Sequence, residues 1–283
     1  MDLRYLLPFL PFLAGPSLAQ TPAPPPTGIV EQPCPPQIPL PPAVVAARAA
    51  AFEPGSKPAG AELLDAPGVR EAMAAAIENA KTDWANLCHY RGKNAGLDSK
   101  PAPKAVFIGD SITEYWIEAD PNFFGGEILD RGISGQTSQQ ILARFYQDVV
   151  ALHPAAVHIL AGTNDVAGNL GPSREQDVVN NISAMADIAT ANRIRVIIGA
   201  IPPAADFPWR PGLSPAAKII ALNAKLKAIA IRHGYIFVDY HSAMADPGGG
   251  MRDGLSSDGV HPNRPGYRLM EALAQTALAK KAR

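Results

Sequence analysis

The chain has 283 residues, 47% of them hydrophobic and 18% charged, with a formal net charge of -1. That is enough apolar material for one domain of ordinary enzyme size plus appendages. The near-zero charge offers no electrostatic footprint for nucleic acid or an anionic membrane surface, so neither is expected as a partner.

Residues 1–19 carry Arg4, an apolar run of Leu6, Leu7, Phe9, Leu10, Phe12 and Leu13, and the small-x-small exit Ser17-Leu18-Ala19. This pattern reads as a secretory signal peptide, and it predicts an exported protein, periplasmic or secreted. Stable membrane insertion is not expected, because the run is short and broken by Pro8, Pro11 and Pro16. Residues 20–42 are proline-rich and favour extended polyproline conformation, as a linker or a strap over the surface. Cys34 and Cys88 are the two cysteines. In an oxidising compartment they are candidates to pair and tie the extension to the body; otherwise they are free thiols. With no C-x-x-C and no Cys/His cluster, no metal site is expected.

Residues 43–103 read as an N-terminal helical extension. Two alanine-rich stretches, 43–52 and 69–90, have helical spacing; in the second, Val69, Met73, Ile77, Ala80, Trp84 and Leu87 form one apolar stripe. From Lys104 the texture changes, and 104–283 reads as one domain. Short apolar runs at 105–109, 155–160, 195–200 and 235–238 suit strands buried on both faces, and 127–130 is a shorter candidate strand. Amphipathic helices are predicted between them, over 137–150, 173–191, 214–233 and 265–280. The second opens with a Ser173/Gln176 capping box, and the third with a Ser214 cap and Pro215 in the first turn. This alternation predicts a three-layer α/β/α sandwich around a mostly parallel, five-stranded sheet. Ligands in such sheets bind beyond the carboxyl ends of the strands.

Polar blocks fall at that rim. Gly109-Asp110-Ser111-Ile112-Thr113 follows the first strand. Its serine can act as a nucleophile beside a base, or Asp110 and Ser111 merely cap the next helix. Gly132-Ile133-Ser134-Gly135-Gln136-Thr137 follows the second, where a glycine N–H can face a developing negative charge or simply make a turn. In Gly162-Thr163-Asn164-Asp165 the Asn164 amide is a neutral donor of the same kind, or part of a turn. Last comes Asp258-Gly259-Val260-His261-Pro262, a carboxylate three residues before an imidazole. Other histidines suit the task less: His158 lies inside a strand, His153 and His233 end helices, and His241 follows the fifth strand. Asp253 has a poorer spacing to His261 than Asp258 has.

At these residues the sequence resembles the GDSL or SGNH hydrolases, through Ser111 in Gly-Asp-Ser, Gly135 in Ile-Ser-Gly-Gln-Thr, Asn164 in Gly-Thr-Asn-Asp and His261 in Asp-Gly-Val-His-Pro. The likeness runs from about Lys104 to the C-terminus, and Asp130 departs from it where many relatives have asparagine. It implies a flavodoxin-like sheet and a serine esterase or lipase that needs no cofactor. Ser111 would attack the ester, His261 would move the proton, and Asp258 would orient His261. The Ser111 and Gly135 N–H groups and the Asn164 amide would form the oxyanion hole. The expected substrate is a small-molecule or glycan ester with a short acyl group such as acetyl. The alternatives are lysophospholipid or thioester hydrolysis, and O-acetyl transfer. Candidate substrate contacts are Asp110, Trp116, Phe207 and Trp209. The G-x-S-x-G elbow of α/β-hydrolases and nucleotide-binding glycine loops are absent from the sequence.

Overall fold

A strand that is apolar on both faces has to be covered on both, and the strands here are. The computed structural model describes residues 28–31, 33–35, 37–97 and 101–280. The expected signal peptide, 1–19, lies outside them, as does the start of the proline-rich run. Helix α1 (Pro42–Ala51), a 3-10 turn (Ala61–Asp65), α2 (Val69–Ala80) and α3 (Arg91–Ala95) precede the sheet. Strand β1 (Ala105–Gly109) leads through α4 (Ser111–Ala119) to β2 (Ile128–Gly132). Then α5 (Ser138–Ala143), α6 (Phe145–Asp148) and a second 3-10 turn (Val150–Leu152) lead to β3 (Ala156–Leu160). Helices α7 (Thr163–Ala167) and α8 (Glu175–Ala191) lead to β4 (Arg195–Gly199), and α9 (Ala216–His233) to β5 (Ile236–Val238). Helices α10 (Tyr240–Met244) and α11 (Arg264–Ala279) close the described chain.

All five strands are parallel, in the order β2-β1-β3-β4-β5. The chain winds outward from β1 to β2 and then crosses back to β3, so the sheet opens a crevice at the carboxyl ends of β1 and β3. Alternate side chains serve opposite layers. Val106, Ile108, Val157, Ile159, Val196 and Ile198 pack with α5, α6, α8 and α9. Ala105, Phe107, Ala156, Leu160 and Ile197 pack with α4, α10 and α11. Phe107 is fully buried, with the rings of Trp116, Phe123 and Phe124 at 5.5 to 5.6 Å, and its burial contributes about 2 kcal/mol. His158 stacks on Phe107 and lies 3.0 Å from the Tyr240 hydroxyl; burial pushes its pKa down to about 3 and keeps it neutral.

Several helices depart from the sequence pattern. The one expected over 69–90 stops at Ala80, because the Asp83 carboxylate accepts from Leu87 N and Cys88 N and winds its own turn, with Asn86 at φ 54°. Trp84, on the expected stripe, is exposed. The helix expected over 137–150 breaks at Arg144. Its buried guanidinium donates to Gln136 Oε1, the Arg131 and Gly109 carbonyls and Asp148, a set that fixes the side chain at the expense of helix continuity. At the start of α8 the Asp177 carboxylate accepts from Arg174 N and from the Arg174 guanidinium, while Ser173 donates to the Asp165 carbonyl. Ser214 sits at φ 48°, so it does not cap α9 in the usual extended conformation.

The N-terminal extension is bonded to the body at many points. Cys34 and Cys88 form a disulfide. Gln37 donates to the carbonyls of Cys88 and His89, Tyr90 Oη to the Gly132 carbonyl, and Gln136 Nε2 to the Ala85 carbonyl. Phe52 is buried edge-on between Tyr115 and Tyr267, and its carbonyl accepts from Arg264 N.

Candidate active site

Strand β1 ends in Gly109 because only glycine fits there: a Cβ would lie 2.2 Å from Thr113 Oγ1 and 2.5 Å from the Leu160 carbonyl. The chain then turns straight into α4. The Asp110 carboxylate accepts from Ile112 N at 3.0 Å as N-cap, and Ser111 becomes the first helical residue. Its hydroxyl lies 3.0 Å from His261 Nε2.

His261 comes from the loop before α11, and that loop is wound around Asp258. The Oδ1 of Asp258 accepts from Ser256 Oγ, Val260 N and His261 N, while Oδ2 lies 2.6 Å from His261 Nδ1. Burial raises the pKa of this carboxylic acid, but the charge and hydrogen bonds of His261 and the backbone N–H donors outweigh it and hold the group at about 2. An ionised carboxylate only accepts, so Nδ1 carries the ring proton and Nε2 turns its lone pair toward the Ser111 hydroxyl. Tyr115 lies 5.5 Å and Trp209 6.1 Å from the His261 ring, centroid to centroid.

Three further donors come from the turns that follow β1, β2 and β3. The backbone N–H groups of Ser111 and Gly135 have no protein acceptor among the described residues. Gly135 holds φ 78°, the left-handed region that favours glycine. Asn164 Nδ2 spends one hydrogen on the Gln136 carbonyl at 3.0 Å, which leaves the other for a ligand. Its Oδ1 accepts from Asn169 Nδ2 at 2.7 Å, and Asn169 Oδ1 accepts from Trp209 Nε1 at 3.2 Å. This relay fixes which way the Asn164 amide points. Asn169 escaped the sequence reading because a glycine-flanked asparagine is ordinary turn material. Asp165 escaped it as well: buried, it accepts from Ser138 N and Oγ and ties the start of α5 to the loop after β3.

The structure thus brings Ser111, Asp258, His261, Gly135, Asn164 and Trp209 together. Three other candidates are displaced from substrate contact. Trp116 is fully buried and stacked on Phe123 and Tyr267, because α4 packs its apolar face on the sheet. Phe207 is buried behind Trp209, its ring stacked on it at 5.0 Å. Asp110 is 1% exposed and caps α4; its second oxygen has no hydrogen-bond partner among the described residues, and burial pushes its pKa up to about 7. Asp130 caps its own turn by accepting from Gly132 N, and burial raises its pKa well above the ordinary value. Among the described residues no group of three His, Cys, Asp or Glu side chains is placed to hold a metal ion. Among them, too, no helix is long and apolar enough to cross a membrane.

Residues 107–269 match the model of the GDSL-like Lipase/Acylhydrolase family. A GDSL-like lipase from Bacteroides thetaiotaomicron VPI-5482 is 43% identical, with 69% of this chain and 97% of that chain covered and a TM-score of 0.67. A candidate acylhydrolase from Bacteroides fragilis NCTC 9343 is 45% identical, with 71% and 99% covered and a TM-score of 0.67. A catalytic mutant of an acetylxylan esterase from Geobacillus stearothermophilus is 20% identical, with 63% and 95% covered and a TM-score of 0.50; at that identity the likeness concerns the fold alone. No curated protein matches the chain.

Proposed function

The chain belongs to the GDSL-like lipase/acylhydrolase family and is a carboxylic ester hydrolase, and we propose that it works as an exported serine esterase on short-chain esters, with Ser111 as nucleophile. The observation that carries this reading is the continuous chain from Ser111 Oγ through His261 to Asp258, with contacts of 3.0 and 2.6 Å. As Oγ adds to the ester carbonyl, its proton passes to Nε2, and Asp258 stabilises the imidazolium that forms. The carbonyl oxygen becomes an oxyanion that accepts from Ser111 N, Gly135 N and Asn164 Nδ2, each donor contributing about 3 kcal/mol to the transition state. When the tetrahedral intermediate collapses, Nε2 protonates the departing alcohol oxygen and the acyl group stays on Ser111. Water then repeats the sequence, with His261 first base and then acid, and releases the carboxylic acid. None of these steps draws on a metal or organic cofactor.

The oxyanion side supports a short acyl group. The donors on that side are Gly135 and Asn164, and around them Asn164, Asp165 and Asn169 are tied to protein partners. A long acyl chain lying there would meet polar groups, whereas an acetyl group has little apolar surface to cover. Export to a periplasm or the medium is supported by the charged start and apolar run of residues 1–19, and by the Cys34–Cys88 disulfide, a bond that persists in oxidising compartments. We take 104–283 as the hydrolase unit and 43–103 as an extension docked on it. The test is hydrolysis of p-nitrophenyl acetate by wild type and Ser111→Ala. Loss of at least about 10³-fold in kcat/KM is expected, and unchanged hydrolysis would sink the serine mechanism. A series of p-nitrophenyl esters of rising chain length reads the acyl preference.

A further inference from the structure

One wall of the site comes from a segment that precedes the family-matched region. A pocket of about 70 Å³ opens beside His261, lined by Tyr115, Trp209, Pro262 and, from the N-terminal extension, Ala47, Ala51 and Leu63. At about 10–15 Å³ per water-sized probe, it takes a group of roughly five non-hydrogen atoms. Val44, Ala47, Arg48 and Ala51 recur at three and four residues, so the pocket is lined by one face of α1. Arg48 holds that face down: its Nη1 lies 3.2 Å from Glu114 and 3.0 Å from Glu118, with the guanidinium 4.5 Å over the Tyr115 ring. Glu114 in turn accepts from Ser134 N and Oγ, next to Gly135. The family match begins only at residue 107.

We propose that this pocket is the subsite for the alcohol half of the ester, and that α1 with Leu63 makes it selective for a small apolar alcohol. The proposal rests on the serine-esterase reading above. In the tetrahedral intermediate His261 must reach the departing alcohol oxygen, so the group on that oxygen lies on the His261 side. The pocket is walled by His261 and its loop, and by none of the three oxyanion donors. The acyl group therefore points elsewhere. The pocket's lining is mostly apolar and part of its polar lining is engaged: Arg48 Nη1 is paired with two glutamates, and Asp258 is held by His261 and its own loop, which leaves Ser257 and the Arg48 Nε, without a partner among the described residues, as the groups a hydroxyl could meet. A sugar placed here would bury more hydroxyls than Ser257 and the Arg48 Nε can partner, whereas an alkyl or small aryl group would bury apolar surface against alanine, leucine and tryptophan. Of the small-molecule and glycan esters expected from the sequence, this favours a small molecule with an apolar alcohol.

The test fixes the acyl group and varies the alcohol. For wild type, kcat/KM, which reports acylation and alcohol departure, is expected to be at least tenfold higher for n-butyl acetate than for 1-acetylglycerol, whose alcohol group is larger by one non-hydrogen atom. Ala47→Phe, which fills the pocket from α1, should lower the n-butyl to methyl acetate ratio at least tenfold and leave the methyl butyrate to methyl acetate ratio in place. No preference for the butyl ester in wild type, or an acyl-length ratio that shifts as much as the alcohol ratio, overturns the proposal. Should Ala47→Phe fail to fold, Leu63→Ala serves: it should raise the relative rate on cyclohexyl acetate at least threefold, and no change overturns the proposal equally. Ser111→Ala on the same esters separates the two readings. If it stays active the serine mechanism fails, whereas if it is inactive and the alcohol ratios do not move, only the subsite fails.

Discussion

Asn169 donates a 2.7 Å hydrogen bond to Asn164 Oδ1 and is itself held by Trp209 Nε1. The carbonyl end of the Asn164 amide is thereby occupied, and of its two Nδ2 hydrogens one goes to the Gln136 carbonyl and one is left for a ligand. In the proposed mechanism, a donor preset in this way needs no reorientation as charge develops on the substrate oxygen.

Asn169→Ala should therefore lower kcat by about tenfold with little change in KM, less than the roughly 10²–10³-fold expected for Asn164→Ala, because the donor is loosened and not removed. If Asn169 acts through Asn164, the double variant Asn164→Ala/Asn169→Ala is no slower than Asn164→Ala alone. Additive losses in steady-state kinetics would refute the relay.

Asp258→Asn leaves an oxygen to accept from Ser256, Val260 and His261 N, but turns an NH₂ group toward His261 Nδ1. The imidazole must then carry its proton on Nε2, the wrong side for taking one from Ser111. A loss of about 10⁴-fold in kcat/KM on p-nitrophenyl acetate is expected, with a cooperative thermal transition retained. A loss of under tenfold would remove Asp258 from the mechanism.

The sheet was legible in the sequence because a strand buried on both faces is a continuous apolar run, and Val106, Phe107, Val157, Ile197 and Ile198 leave little else to read. Ser111, Gly135, Asn164, Asp258 and His261 were legible as blocks placed after strands. Less visible was whatever depends on long-range polar contacts. Nothing local marks Arg144 as a buried hub that breaks a helix, Asn169 as a holder of Asn164, or Arg48 as the clamp of a pocket wall 66 residues before its partner Glu114 reappears in space. Trp116 and Phe207 misled for the converse reason: an aromatic beside a site residue fills a core as readily as it lines a pocket, and its helix face or strand-end packing decides which.

Asp110 makes stability depend on pH. Burial lifts its pKa from 3.8 to about 7 in the folded chain, so between about pH 4 and 7 the folded state keeps a proton that the unfolded state has released. Stability then falls as pH rises through that window, by at most about 4 kcal/mol. Asp110→Asn keeps an oxygen to cap α4 and removes the titration. The variant should match wild type in urea midpoint at pH 4 and exceed it at pH 8, and a gap that does not change with pH would contradict the assignment.

Cys34 and Cys88 close a loop of 54 residues, which on chain-entropy grounds stabilises the folded state by up to about 4 kcal/mol. The segment it anchors runs past Gln37, bonded to the carbonyls of Cys88 and His89, and enters α1 at Pro42. The disulfide therefore anchors the strap that delivers the pocket wall to the site. Reduction does not free α1 at once, because Arg48 keeps its two glutamates and Phe52 stays buried between Tyr115 and Tyr267. What is lost is the restriction on the unfolded chain. Scanning calorimetry with and without dithiothreitol should thus show Tm lower by roughly 5–15 °C on reduction. The variant Cys34→Ser/Cys88→Ser should melt at the reduced value and ignore the reductant. An equal Tm in both conditions would mean that the polar contacts alone hold the extension in place.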